Sequence, residues 1–107
     1  MSGPAGPWTY EDYLDFPDDG KRYEIVDGEV FVSPAPNVRH QDIVGLLFRR
    51  LGDHVERHGG GRVFVGPVDV VLSPTNVVES DIVFVADADT GRVTAANLQG
   101  PPTMAVE

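Results

Sequence analysis

The chain has 107 residues, 41% of them hydrophobic, with Gly 12, Pro 9 and Cys 0, which suits one small domain and excludes two separate cores. Lys+Arg 8 against Asp+Glu 17 give a formal net charge of -9, so the overall field repels phosphate backbones and anionic membranes and excludes a generic nucleic-acid coat. The lack of cysteine removes disulfides and thiolate zinc sites, and no apolar run approaches the roughly 18 residues of a membrane span, so the expectation is a soluble, cytoplasmic protein.

Residues 1–7 read as a disordered Ser/Gly/Pro/Ala leader, with the ordered domain over residues 8–107. Thr9 with Asp12 is an acidic variant of the capping box and predicts a short helix that Pro17 stops. Tyr23 to Val26 and Glu29 to Val32 are β-rich runs joined by Asp27-Gly28, a strong hairpin signal. Asn37 then caps a predicted helix from Val38 to about His58, ended by Gly59-Gly60-Gly61. On that helix Ile43, Val44, Leu47, Phe48, Leu51 and Val55 form one stripe expected to pack on a sheet, with His40 at its centre. Gly45 and Gly52 each cost about 1 kcal/mol relative to Ala, which suggests close approach of another element. Three strands follow, Arg62 to Val65, Val68 to Leu72 and Ile82 to Val85, then a polar linker from Asp87 to Gly100 and a strand pattern from Thr103 to Glu107.

Two carboxylates sit at informative places. Asp81 opens the Ile82 to Val85 run and Glu107 ends the last one, so if the two strands are antiparallel neighbours their carboxylates meet at one edge of the sheet. Such oxygen ligands suit Mg²⁺, and strand-end acids facing solvent are the plainer alternative. Glu24 shares a strand face with Val26 and, partly buried, needs a partner, either a metal or an arginine. His40 points inward from the first helical turn, as a group beside the carboxylates or as a core histidine. His54 and His58 have the spacing of a metal pair, but in the last turn they serve the helix dipole at least as well.

Taken in order, Tyr23-Glu24-Ile25-Val26-Asp27-Gly28-Glu29-Val30, Ser33-Pro34-Ala35-Pro36, His40, Ser80-Asp81-Ile82-Val83-Phe84-Val85 and the final Pro-Pro-Thr-Met-Ala-Val-Glu resemble the Uma family of restriction endonucleases, within the PD-(D/E)xK nuclease superfamily. The resemblance implies an α/β (α+β) fold with a restriction-endonuclease-like mixed sheet flanked by helices. It places Asp81 at the aspartate of the "PD" motif, Glu107 at the glutamate of "(D/E)xK", Glu24 at the family's "YE" signature and His40 at the start of its long helix. Ser80 replaces the usual proline. The motif lysine would follow Glu107, so the chain reads as the N-terminal portion of that domain.

The implied function is Mg²⁺ (or Mn²⁺)-dependent hydrolysis of DNA. Asp81 and Glu107 would bind the metal, Glu24 and His40 would assist, and activity without the motif lysine is not expected. Valine-rich strand edges favour self-association, which makes a homodimer one expected assembly. The alternative is a non-catalytic interaction module that keeps the fold, motivated by the missing lysine and the net charge of -9.

Overall fold

The computed structural model describes residues 7–107, so the leader expected over residues 1–7 lies, apart from Pro7, outside the described residues. Helix α1 spans Tyr10–Tyr13, where the Asp12 carboxylate accepts hydrogen bonds from the Thr9 backbone N–H at 2.9 Å and its hydroxyl at 3.2 Å. The helix is too short to bury a face. It is tied down by aromatic contacts instead, because Phe16 meets Trp8, Tyr13 and Tyr23 with ring centroids 5.6, 5.7 and 5.3 Å away.

Strands β1 (Arg22–Val26) and β2 (Glu29–Ser33) form the hairpin expected from Asp27-Gly28. Both turn residues have positive φ, 50° and 79°, as a two-residue turn of right-handed twist requires. Gly28 is also closely approached, since a Cβ there would lie 2.6 Å from the Pro7 side chain.

Helix α2 (Val38–His58) keeps its expected caps. The Asn37 side chain accepts from the His40 N–H at 2.8 Å, and Gly59 ends the helix at φ 67°. Its packed face is rotated from the expected stripe. Val44 is buried and Phe48, Leu51 and Val55 are half-buried, whereas Ile43 and Leu47 are exposed and His40 lies at the rim. The cause is an ambiguity in the sequence, because α2 carries apolar residues around more of its circumference than one sheet can cover.

Gly45 corrects a second expectation, since a Cβ added there meets nothing within 4 Å, while one at Gly52 makes only ordinary contact with Val63. Gly45→Ala should therefore stabilise the chain by about 1 kcal/mol and raise Tm by roughly 4–8 °C. A melt followed by circular dichroism checks this, and an unchanged Tm would refute it.

The two runs around Gly66-Pro67 are a single strand, β3 (Gly61–Ser73), with a register irregularity between Val65 and Val68. Proline lacks the N–H for a ladder bond, and the irregularity removes the need for one. Gly66 has no room for a side chain, because a Cβ would clash with the Ser80 carbonyl oxygen. Strand β4 (Asn76–Ala86) starts earlier than the valine run suggested, so Asp81 lies inside the strand rather than opening it. The expected linker holds a 3₁₀ helix (Asp87–Arg92) and strand β5 (Leu98–Gln99), and β6 (Met104–Val106) closes the sheet.

The sheet is mixed and six-stranded, in the order β2-β1-β4-β3-β5, with only the β3–β5 pair parallel. One edge of β4 is filled by β3. Along the other edge β4 pairs first with β1, at Val77, and then with β6, from Ile82 to Phe84. Ile25, Val70, Val77, Ile82, Val83, Val85 and Leu98 are buried in this sheet, so β4 is its centre.

Candidate active site

Between its pairings with β1 and β6, the edge of β4 lacks a strand neighbour over Glu79, Ser80 and Asp81, yet all three residues are buried. Backbone groups in such a gap need side-chain partners. Glu24 supplies one, its Oε2 accepting the Glu79 N–H at 2.8 Å. The partner that a half-buried Glu24 required is therefore a main-chain donor.

Asp81 is the meeting point. Its Oδ1 receives Arg22 Nη2 from β1, and its Oδ2 lies 3.1 Å from His40 Nε2 in the first turn of α2. The histidine contact falls outside hydrogen-bond geometry, so the two buried atoms face each other as an ion-pair contact without a hydrogen bond. Burial pushes the Asp81 pKa up, but Arg22 and His40 outweigh it and hold the carboxyl below its ordinary value.

Val106 pairs with Ile82 across the antiparallel β4–β6 ladder, so the next step brings Glu107 level with Asp81. Glu107, Glu24, His40 and Arg22 line one cavity of about 410 Å³. A second cavity of about 310 Å³ adjoins it through Arg22 and is lined by Asp81, Glu79, Gln41, Tyr13 and Phe16. Asp81 lines the second cavity and reaches the first only through its contacts with Arg22 and His40. Among the described residues, no three His, Cys, Asp or Glu side chains are spaced to hold a metal ion. His54 and His58 stand apart on the exposed last turn of α2, with ring centroids 4.5 Å from each other.

Two participants escaped the sequence reading. Arg22 carries no signal in the sequence that distinguishes it from a surface charge. Glu79 was placed outside the strand, whereas it is 5% exposed, its Oε2 is unpartnered, and burial raises its pKa to about 7. Its signal was the spacing Glu79-x-Asp81, which puts two acids on one side of a strand. Asp69 sits opposite Glu79 in the β3–β4 register and accepts a hydrogen bond from the Tyr13 hydroxyl at 2.9 Å, and burial pushes its pKa up as well.

No curated protein matches the chain. Among solved structures, a protein from Anabaena variabilis described as a putative nuclease belonging to DUF820 matches with a TM-score of 0.67 at 16% sequence identity, over 89% of this chain and 53% of that one. The chain therefore spans about half the length of that neighbour, and the likeness establishes a shared fold. A family model, Uma2, described as "Putative restriction endonuclease", matches residues 10–107. That match takes in every element from α1 to β6 together with Glu24, His40, Asp81 and Glu107, and the chain belongs to the Uma2 family.

Proposed function

We propose that this chain carries the metal-binding residues of an endonuclease that hydrolyses DNA phosphodiester bonds with Mg²⁺ (or Mn²⁺), with Asp81 and Glu107 as ligands assisted by Glu24 and His40. The observation that carries the reading is the buried Oδ2 of Asp81, which makes no hydrogen bond, faces His40 at 3.1 Å and is level with Glu107 in the β4–β6 register. A carboxylate oxygen without a hydrogen bond, on a strand level with a second acid, suits a hard cation, and Mg²⁺ is commonly held by one or two carboxylates with water and phosphate oxygens completing its shell. Such an ion, when bound, supplies Lewis acidity to a phosphoryl oxygen and to water.

The chain's own residues do the positioning. Glu24 fixes the backbone of β4 just before Asp81 through the Glu79 N–H. His40 projects from the N-terminal turn of α2, an end that favours anions, and its Nε2 can serve substrate phosphate or the Asp81 carboxylate. Arg22 offsets the Asp81 charge and opens on both cavities. The basic groups available to track a backbone are Lys21, Arg22, Arg39, Arg49 and Arg50, few enough that binding to DNA is local. A homodimer and a cytoplasmic location belong to the same proposal. No helix among the described residues is long and apolar enough to cross a membrane.

Thermal melting tests the site. At a cation concentration about ten times Kd, Mg²⁺ or Mn²⁺ should stabilise the folded chain by about 1.4 kcal/mol, and Asp81→Ala should abolish the shift. A melt that ignores both ions, or a shift that survives Asp81→Ala, would remove the metal from the proposal. The second reading, a non-catalytic module on the same fold, is favoured by one observation, the Arg22 guanidinium already seated on Asp81 Oδ1. It expects no response to either ion.

A further inference from the structure

The outer side of α2 carries a stripe that the sheet does not use. Arg39, Ile43, Leu46, Arg50, Asp53 and Arg57 recur at alternating steps of four and three residues, the period of a helix-pairing seam. Ile43, Leu46 and the adjacent Leu47 are 51%, 44% and 38% exposed, an apolar patch on an otherwise charged surface.

The charges around this patch complement themselves about Leu46. Arg39 lies seven residues before it and Asp53 seven after, while Asp42 lies four before it and Arg49 and Arg50 three and four after. In an antiparallel pair of helices related by a twofold axis at Leu46, each residue before the axis is level with the residue equally far beyond it in the second copy. Arg39 then faces Asp53 of the second copy, and Asp42 is level with Arg50, with Arg49 one residue nearer the axis. A parallel pair in register would place like charges together instead. Arg39, Asp42 and Arg50 make no ion pair within the chain among the described residues, and Asp53 holds only the exposed Arg57, at 3.3 Å.

We infer that α2 is the surface through which two copies of this chain associate, antiparallel, with Leu46 on the axis and Ile43 and Leu47 packing beside it. This rests on the homodimer of the functional reading and names its surface. The exposed apolar residues of β2, Phe31 at 50% and Val32 at 52%, offer a competing edge, but without a charge pattern that selects a partner.

The chain has no cysteine, so Leu46→Cys puts a single thiol on the axis. Mild oxidation should link two Leu46→Cys copies covalently while leaving Phe31→Cys monomeric on a non-reducing gel. In sedimentation, Arg39→Asp should raise the dimer Kd about tenfold or more, because the twofold axis disrupts two contacts at once, and adding Asp53→Arg should restore it. These residues are exposed, so each variant should fold, which circular dichroism checks. A chain that stays monomeric overturns both the dimer and its surface and leaves α2 for another partner. A dimer that cross-links through Phe31→Cys and not Leu46→Cys, or one that the double variant fails to restore, overturns the α2 surface alone.

Discussion

Replacing Arg22 with methionine should destabilise the chain by about 3 kcal/mol at pH 7. The Asp81 side chain is 6% exposed and that of Arg22 19%, so the substitution keeps most of the apolar stem but leaves a buried carboxylate without its cation. The native Asp81 pKa lies below its ordinary 3.8, so the pair's contribution is complete above that value and is lost as pH falls through the lower, folded one. The deficit of Arg22→Met should accordingly be full at pH 7 and shrink under acid conditions. If the proposed cation takes the same carboxylate, Mg²⁺ should also stabilise Arg22→Met more than the parent chain. Urea unfolding at both pH values, with and without Mg²⁺, checks all three statements, and equal stability at pH 7 would show that the pair contributes nothing.

Glu79→Gln should act in the opposite direction. Burial lifts the Glu79 pKa from 4.5 to about 7, so the acid is protonated in both the folded and unfolded chain at pH 4 and ionised in both at pH 8. Between those limits the unfolded chain gives up a proton that the folded chain retains, and stability falls as pH rises. The full cost above pH 7 is about 3 kcal/mol at one pKa unit per 1.36 kcal/mol. A neutral amide of nearly the same shape avoids that cost. Denaturation in the presence of a chelator should show Glu79→Gln more stable than the parent by up to about 3 kcal/mol at pH 8, with the advantage gone at pH 4. An advantage that does not vary with pH would mean that ionisation of Glu79 is not what burial opposes.

What the sequence disclosed was local. Asp27-Gly28 demands a turn of positive φ, and Asn37 and Gly59 bound α2 by capping, because each motif acts through atoms a few residues away. That the runs bearing Asp81 and Glu107 are antiparallel neighbours is a condition the sequence leaves open, and the β4–β6 ladder meets it. The start of β4 was hidden because Val77, Val78, Glu79, Ser80 and Asp81 mix acids into a buried strand, a pattern that alternation rules read as loop. Asp81 tolerates burial through Arg22, a partner distant in sequence, and Glu79 through a pKa raised by burial itself, and no local rule supplies either. The rotation of α2 was hidden for a related reason, since helical periodicity reveals which residues share a face and not which of two apolar faces the sheet receives.

The divided edge of β4 has a kinetic consequence. Asp81 rides on the strand that holds the sheet together, whereas Glu107 follows a three-residue strand with partners only from Ile82 to Phe84. The two carboxylates therefore belong to different tiers of local stability, and β6 can fray while the centre of the sheet stays intact. A fluctuation of that size would part the pair without unfolding the domain, so in the proposed site assembly would be a separate equilibrium that a bound cation draws toward closure.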